Sequence, residues 1–450
     1  MMISKYFLFG LLLNEAAAFT AVTHSSLAFT PRSHTAADSS GSALQAVSVE
    51  KTKHTLYYVE SINQIKDGKP QWSEEIDAYT LTNSKGVKVT GMPRGANLCD
   101  LTLGDTNYVW ENKAGGAYYG PFSNSFPLSR GLILNGGVRF AAVTAEHGLY
   151  YDTDWEMSTD VSGEGEASII FRIQDTMEQR FKVKDPFSVG QFNRADGAQS
   201  TTATGRMTKY PVTNMIFIFR ITLKDDEDFV RLSMTVENPT RKSCNAEAWV
   251  PMTFPIDKNS QILSRQVTRW RRDEWWNGFV PNVINWADIN TFSDDPKVDF
   301  NKPLSWPKSG IFYDFPHKQG LYHGCTIDKP GKGIVYYAPE GKPHYTKMWG
   351  WGNPDNFVRE EAEKNDPLAA GRPATEYYEP WSSGFNFAFF QTAEFKPMTR
   401  YNWEIALVPV PDGLENSKSL EEKLEVVDNY IDARIESLST VADVTETLIE

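Results

Sequence analysis

The middle of the chain shows a strict alternation of apolar and polar side chains. In Glu166–Asp175, apolar residues occupy every second position apart from an extra Ile170, and Asn214–Leu223 and Phe229–Glu237 repeat the pattern. Alternation over eight or more residues is typical of half-buried antiparallel strands. Turn-prone sequence such as residues 224–228 joins these strands without a helical crossover, so the pattern disfavours a parallel sheet.

Further strand-like runs continue this pattern through the rest of the chain. They are Leu56–Ser61, Val138–Val143, Gly333–Tyr337, Phe385–Thr392 and Tyr401–Val408. Such a long series of strands predicts an all-β chain, a large antiparallel β-sandwich of two packed sheets.

One helix is predicted near the C-terminus. Between Ser419 and Leu438, apolar residues recur at steps of three and four. The acidic residues Glu421 and Glu422 follow Ser419, which suits a helix N-terminus and its dipole. We expect the helix to pack against an edge of the sandwich, with contact to a partner chain as the alternative.

Composition narrows the classes of partner and cofactor. The 450 residues are 40% hydrophobic, enough for a substantial core, and carry a net charge of -13. That charge repels phosphate backbones and disfavours nucleic acid as a partner, although a local basic pocket for a phosphorylated sugar stays compatible with it. The three cysteines, Cys99, Cys244 and Cys325, lack a CxxC pairing and predict neither a disulfide framework nor a zinc site. The histidine spacings suggest no metal site.

The first 47 residues have the composition of a targeting segment. One lysine and a short apolar run, residues 6–13, precede three alanines and Phe19, and the Ser-, Thr- and Ala-rich sequence that follows has a single acid, Asp38. A signal-like part followed by a transit-like part resembles the plastid presequence of diatoms and related algae. The expected domains are this segment (1–47), the sandwich (48–412) and a C-terminal helix and tail (413–450). Plastid stroma is the expected location, with secretion as the alternative, and no membrane span is expected in the mature chain.

The most distinctive polar stretch begins at Asn135. Gly136 and Gly137 interrupt a strand pattern that continues through Arg139, and a pair of glycines there indicates a bulge or a close approach of two backbones. His147 follows on a predicted loop just beyond the strand. By contrast, the sequence contains no GxSxG, HExxH, P-loop or GxGxxG-helix signature.

Four segments, in this order, resemble the galactose-mutarotase-like (aldose 1-epimerase-like) superfamily, closest to an uncharacterised branch often fused to tetratricopeptide repeats. They are residues 135–140 with His147, residues 236–240 leading into 248–251, residues 345–350, and residues 377–381 followed by 395–397 and Trp403. The resemblance covers roughly Leu56 to Pro411. It implies a mutarotase-like sandwich and a sugar or sugar-phosphate substrate.

The resemblance also implies roles for single residues. Glu379 would be the base that acts at the anomeric centre, and His147 a polar group of the same pocket, a pairing that suits hemiacetal chemistry. The substrate-binding candidates on the matching segments are Asn135, Arg139, Trp249, Lys347, Trp349 and Trp381. The sequence departs from true aldose epimerases in two places. Asn135 stands where they have their first histidine, and residues 248–254 lack their second.

A second group of candidates comes from composition alone. Residues 270–276 hold three tryptophans and two arginines, and we select Arg271 and Trp275 as sugar-binding candidates. Aromatic faces stack on pyranose rings, while guanidinium groups bind hydroxyl, phosphate or carboxylate groups. Bracing of a long loop by these tryptophans is the alternative.

Three functions are therefore compatible with the sequence. The first is an aldose or aldose-phosphate 1-epimerase, which needs no cofactor because the reaction requires only proton transfer. The second is a non-catalytic carbohydrate-binding module, and the third is a polysaccharide lyase or hydrolase on the same fold. The identity of the sugar and the oligomeric state stay open.

Overall fold

A computed structural model of the chain describes most of the body of the protein. The described residues are 47–59, 72–111, 117–118, 136–143, 148–151, 153–161, 165–182, 211–257, 259–264, 269–273, 310–315, 321–338, 344–351, 377–385, 393–441 and 445–449. They belong to one compact unit, Leu44–Glu450. The expected targeting segment lies outside them, except for Val47.

The described residues form 24 strands and three helices. The strands are β1 (Ser48–Val59), β2 (Trp72–Thr82), β3 (Val87–Met92), β4 (Asn97–Leu103), β5 (Thr106–Asn107), β6 (Ala117–Tyr118), β7 (Val138–Arg139), β8 (Ala141–Val143), β9 (Glu156–Asp160), β10 (Glu166–Gln174), β11 (Ile216–Lys224), β12 (Val230–Asn238), β13 (Cys244–Pro251), β14 (Phe254–Pro255), β15 (Ile262–Leu263), β16 (Arg269–Asp273), β17 (Gly310–Phe315), β18 (Leu321–Thr326), β19 (Gly333–Ala338), β20 (His344–Trp351), β21 (Tyr377–Ser383), β22 (Ala393–Phe395), β23 (Thr399–Val410) and β24 (Thr445–Leu448). The helices are α1 (Met177–Lys182), α2 (Leu420–Asp432) and α3 (Ile435–Leu438).

These strands make three sheets, and their pairings are antiparallel apart from a short parallel contact between β1 and β6. The seven-stranded sheet has the order β5-β4-β3-β2-β1-β6, with β7 on β4. The nine-stranded sheet has the order β15-β18-β19-β23-β12-β11-β10-β9, with β24 on β23. The eight-stranded sheet has the order β16-β17-β20-β21-β13-β22, with β14 on β21 and β8 on β13. The chain is thus an all-β protein of large antiparallel sheets with a C-terminal helix, as the sequence predicts, but the described strands make three sheets instead of the predicted two.

The alternating segments form the centre of the nine-stranded sheet. Strands β10, β11 and β12 pair in sequence order, with Phe171 opposite Phe219 and Phe219 opposite Met234. Every second residue of β11 is buried and belongs to the main core. The apolar face of these strands therefore packs inside the molecule, and its period of two follows directly from the pleat.

Two of the shorter predicted strands have different outcomes. The predicted strand Val138–Val143 is two strands, β7 on the seven-stranded sheet and β8 on the eight-stranded sheet, so this segment passes from one sheet to the other. Of the predicted strand Phe385–Thr392, only Phe385 is described, and it follows the end of β21.

The C-terminal helix forms, but it is interrupted at Ala433 and Arg434 and continues as α3. The Ser419 side chain caps α2 by accepting a hydrogen bond of 3.2 Å from the Glu422 backbone N–H, as predicted. As expected, the helix lies against an edge strand, β15, and from there Leu424, Val427 and Ile431 also cover the adjoining outer face of the nine-stranded sheet. The reason is the apolar outer face of its middle strands, which a helix must cover. Its residues are Val335 and Tyr337 of β19 and Ala406, Val408 and Val410 of β23.

No helix within the described residues has the length and apolar composition needed to cross a membrane. In the same part of the chain, no three His, Cys, Asp or Glu side chains come together as metal ligands would. Cys99, Cys244 and Cys325 are all free thiols, and the first and last of them are buried.

Candidate functional site

Strand β21 carries the predicted base and runs between β20 and β13 of the eight-stranded sheet. Tyr378 belongs to the main core between the sheets. Because neighbouring residues of a strand point to opposite faces, Tyr377, Glu379 and Trp381 lie on the face turned away from that core. Glu379 is nevertheless only 1% exposed, so its carboxyl group is enclosed by the protein.

Other strands contribute polar and aromatic residues to the same face. In β13, Ala246, Ala248 and Val250 belong to the core, which turns the residues between them to the other face. In β7 and the residue after it, Val138 and Phe140 belong to the core and Arg139 faces away. We call the resulting group the site face. Its described members are Arg139, Glu247, Trp249, Tyr377, Glu379 and Trp381, and all of them are buried.

The two glycines that precede Arg139 make its position possible. Gly136 and Gly137 have positive φ values of 87° and 81°, a backbone region that disfavours side chains. A Cβ atom on Gly136 would collide with the Trp110 carbonyl oxygen, and one on Gly137 with the Asn97 side chain and the Leu98 carbonyl oxygen. The predicted close approach of two backbones is therefore confirmed.

Hydrogen bonds hold this glycine corner in place. The Gly137 N–H donates to the Trp110 carbonyl at 2.8 Å. The Gly137 carbonyl accepts from the N–H of Thr253 at 2.9 Å and from its hydroxyl at 2.8 Å. Arg139 then lies opposite Asn97 of β4 in the backbone register.

Two ionisable residues of the site face, Arg139 and Glu379, influence each other. Burial lowers the pKa of Arg139, and the nearby carboxylate of Glu379 is the main influence that opposes this shift. The phenol groups of Tyr377 and Tyr151 act in the same direction as Glu379. A guanidinium group stays protonated in proteins, so Arg139 places a fixed positive charge beside Glu379.

Aromatic rings flank this pair on both sides. The Trp249 and Trp381 rings meet edge to face, with their centroids 6.5 Å apart. At the other end of β21, the rings of Tyr377 and Trp110 lie 4.4 Å apart. Trp249 and Trp381 are less than 2% exposed, so in this structure their faces are covered rather than presented to solvent.

The backbone register brings three more predicted residues to the same part of the sheet. Trp349 of β20 is directly opposite Glu379, and Lys347 is directly opposite Trp381. Arg271 of β16 is opposite Phe312, which in turn is opposite Lys347. The sheet therefore places Arg271, Lys347 and Trp381 in one row across the strands.

Three predicted site residues lie outside the described part of the chain: Asn135, His147 and Trp275. The residue after His147 is described. Gly148 has a φ of 82°, and its Cα lies so near the backbone of β8 that a Cβ would come within 2.8 Å of the Ala141 Cα. The prediction of a shared pocket for Glu379 and His147 stays a prediction.

Sequence reasoning missed Glu247, the second buried carboxylate of the site face. It is fully buried and lies opposite Val143 of β8. The sequence did contain a sign of this buried carboxylate. Glu247 stands between the small residues Ala246 and Ala248, and Trp249 follows them in the same strand. A charged residue at a strand position flanked by small core residues indicates a polar face that is also buried.

Comparison with known proteins gives matches among solved structures. A TPR-domain containing protein from Parabacteroides distasonis is 12% identical with a TM-score of 0.55, over 83% of this chain and 57% of that chain. A galactose mutarotase related enzyme from Lactobacillus acidophilus is 11% identical with a TM-score of 0.45, over 74% of this chain and 98% of that chain. A galactose mutarotase-like protein from Lactobacillus casei is 12% identical with a TM-score of 0.44, over 74% and 99%.

These matches concern the fold. No protein-family model matches the sequence, and no curated protein does. The chain spans 57% of the length of the Parabacteroides distasonis protein, and the likeness between the two is one of architecture.

Proposed function

We propose that this chain binds a sugar or sugar phosphate at the site face and acts on it as an aldose 1-epimerase-like enzyme, with Glu379 as the base. The observation that carries the proposal is the burial of Glu379 beside Arg139, between aromatic rings, on the strand whose sequence resembles the catalytic strand of mutarotase-like proteins. A carboxylate enclosed beside a fixed cation is an arrangement typical of functional sites.

The proposed reaction moves protons only. The Glu379 carboxylate takes the proton of the anomeric hydroxyl group while an acid, for which His147 is the candidate, protonates the ring oxygen. The bond between the anomeric carbon and the ring oxygen breaks, and an open-chain aldehyde forms. Rotation about the neighbouring carbon–carbon bond and the reverse proton transfers close the ring with the opposite configuration.

Arg139 and the tryptophans would have supporting roles. The positive charge of Arg139 would limit the orientation of the Glu379 carboxyl group. Because Trp249 and Trp381 are covered, they would form a rigid wall beneath the sugar rather than an exposed stacking surface. Lys347 and Arg271, in the row across the sheet, are the candidates to bind a phosphate group.

The test is anomer exchange measured by one-dimensional NMR, on the full chain and on the chain from Ser48. Glucose, galactose and their 6-phosphates are the substrates. Glu379→Gln should lower the exchange rate by a factor of about 10²–10⁴, the range for loss of a general base. Glu394→Gln, the same change at an exposed position of β22, is the control and should exchange as the wild type does.

A specific observation favours non-catalytic sugar binding as the second candidate. Glu379 already lies next to a cation and is 1% exposed, which also suits a purely structural pair. Line broadening of a sugar without exchange would support this candidate. Absence of both effects for all four sugars would reject the monosaccharide proposals, and oligosaccharide cleavage would be assayed next.

We further propose that residues 1–47 direct the protein to a plastid. The support is compositional: a signal-like part, an Ala-Phe junction and a transit-like part poor in acids. Residues 1–47 fused to a fluorescent protein and expressed in a diatom should label the plastid. Fluorescence in the medium or the secretory system would indicate secretion instead.

A further inference from the structure

A hydrogen bond in the core connects the strand of the predicted base to the nine-stranded sheet. The Nε2 atom of His323 lies 2.6 Å from the hydroxyl oxygen of Tyr378. His323 belongs to β18 and Tyr378 to β21, so the bond joins the nine-stranded and eight-stranded sheets. Neither side chain is exposed to solvent.

The surroundings of His323 make this contact well defined. Its ring lies between two tyrosine rings, with centroid distances of 5.8 Å to Tyr336 and 6.0 Å to Tyr378. Burial lowers the pKa of His323 to about 3, so the imidazole is neutral at physiological pH. A neutral ring nitrogen facing a phenol at hydrogen-bond distance forms a directional contact without placing a charge in the core.

Tyr378 is also the residue next to Glu379, on the opposite face of the same strand. Its backbone lies opposite Phe254 on one side and Gly350 on the other, so it is at the centre of the sheet. A displacement of the Tyr378 backbone away from β18 would shift β21 with it. Since the Cα atoms of Tyr378 and Glu379 are adjacent, the Glu379 carboxyl group would move with it.

We propose that the His323–Tyr378 hydrogen bond positions Glu379 from the core side of the sheet. Both are positioning residues, because they lie on the face that a sugar at the site face cannot touch. The inference rests on the proposed function for its catalytic consequence, but the effect on β21 can be measured without any sugar. Shifts of a fraction of an ångström in a general base are enough to lower a rate.

The first measurement is hydrogen–deuterium exchange of the full-length protein, read on peptides that cover Tyr377–Ser383. Tyr378→Phe removes only the oxygen atom that meets His323, and we expect exchange in β21 to become about tenfold faster. Tyr336→Phe is the matched control, because it removes a phenol oxygen from a ring on β19 whose centroid lies 5.8 Å from that of the same imidazole. It should leave exchange in β21 within about twofold of the wild type.

A second pair of variants tests the bond from the other partner. His323→Gln keeps a polar nitrogen near the Nε2 position and should retain most of the protection of β21, whereas His323→Leu should lose it. Urea unfolding of each variant separates a local effect on β21 from a general loss of stability. Equal acceleration by Tyr378→Phe and Tyr336→Phe, or unchanged exchange in β21, would overturn the proposal.

The catalytic consequence is measured on the same proteins by anomer exchange. Tyr378→Phe should lower kcat about tenfold and leave KM within about twofold, because the base is displaced while the sugar contacts are kept. The single variant His323→Gln should retain most of the wild-type kcat. If the wild type shows no anomer exchange, the proposed function fails. The hydrogen–deuterium exchange of β21 then still decides whether the His323–Tyr378 bond fixes this strand. A wild type that turns over sugar, with a Tyr378→Phe variant of unchanged kcat, rejects the positioning of Glu379.

Discussion

Two buried pairs of an arginine and a carboxylate differ in how the protein completes them. Arg180 and Asp175 lie where β10 ends and α1 begins, and both side chains are at most 2% exposed. Arg139 and Glu379 lie on the site face and are equally buried. The chemistry of the two pairs is the same, but the direction of the pKa shift of the arginine is opposite.

The Asp175 carboxylate is surrounded by donors from several parts of the chain. Its Oδ1 atom accepts from the Tyr150 hydroxyl group at 2.6 Å and from Arg180 Nε at 2.7 Å. Its Oδ2 atom accepts from Arg180 Nη2 at 2.8 Å and from the N–H and hydroxyl groups of Thr213 at 2.8 and 2.7 Å. Burial acts to lower the pKa of Arg180, but the hydrogen bonds and charge of Asp175 outweigh it and raise the pKa.

For Arg139 the balance is reversed. Burial outweighs the attraction of Glu379, and its pKa is lowered. The protein therefore compensates the desolvation of Arg180 internally and that of Arg139 only in part. The Asp175–Arg180 pair is completed by hydrogen bonds within the protein, and the pair of Arg139 and Glu379 is the one at which we propose that a sugar binds.

The largest effect on stability is expected from Asp175→Asn. The substitution removes the negative charge that balances Arg180 in a buried environment. It also replaces one of the two acceptor oxygens of Asp175 by a donor NH2 group. We expect the free energy of unfolding to fall by about 3–5 kcal/mol, measured by urea denaturation.

Glu156→Gln is the control for that experiment. Glu156 pairs with Arg172 at 3.2 Å on the outside of the same sheet, and its side chain is 72% exposed. Because solvent screens such a pair, the change should cost less than about 1 kcal/mol. Similar losses for Asp175→Asn and Glu156→Gln would show that the buried network adds nothing beyond an ordinary ion pair.

The next effect concerns a buried group that stays neutral. His323 has a pKa of about 3 in the folded protein and an ordinary value of 6.5. Between these values only the unfolded chain binds the proton, so stability is lost as the pH falls below 6.5 and is unaffected above it. At pH 5 this proton binding to the unfolded chain should lower the free energy of unfolding by about 2 kcal/mol.

The measurement compares wild type and His323→Gln by urea denaturation at pH 5 and pH 7.5. The difference in the free energy of unfolding between the two proteins should shift by about 2 kcal/mol between these pH values, with the variant relatively more stable at pH 5. Carboxylates such as Asp77, whose pKa is held at about 2 by hydrogen bonds from Lys53 and Lys51, titrate at lower pH in both proteins. A difference that does not change with pH would contradict the burial of a neutral His323.

A smaller effect is expected when one donor is removed from Asp175. Tyr150→Phe deletes a single hydrogen bond and leaves the Arg180 and Thr213 contacts in place. The free energy of unfolding should fall by about 1 kcal/mol. A loss as large as that of Asp175→Asn would mean that the network depends on each of its members and cannot compensate.

Much of the fold follows from the sequence, because a period of two directly reports which face of a strand is buried. Strands β10, β11 and β12 were predicted within two residues of their observed ends. Where the C-terminal helix packs was not predictable in the same way. Its apolar stripe shows that one face is covered, but the cover combines the neighbouring strand β23 with β19, which is distant in sequence.

The sequence also selected several residues that the structure brings close together, although their role at a site stays a prediction. Motif resemblance selected Glu379, Arg139, Trp249 and Trp381, and the structure brings them to one face. Local patterns did not reveal that Glu247 joins them, nor that Asp175 at the end of a strand meets Tyr150, Arg180 and Thr213. Such contacts depend on the sheet register and on chain segments that are distant in sequence.

The smallest effect on stability is expected when the site pair is removed as a unit. Arg139→Met with Glu379→Gln deletes both charges and keeps side chains of similar volume, so the desolvation cost disappears along with the attraction. We expect a free energy of unfolding within about 1 kcal/mol of the wild type, or a gain. The matched variant, Arg180→Met with Asp175→Asn, should lose more, because Tyr150 and Thr213 lose carboxylate acceptors and the Pro211 carbonyl loses its donor. Equal losses in the two double variants would mean that both pairs are structural, and the case for a site at Glu379 would then rest on anomer exchange alone.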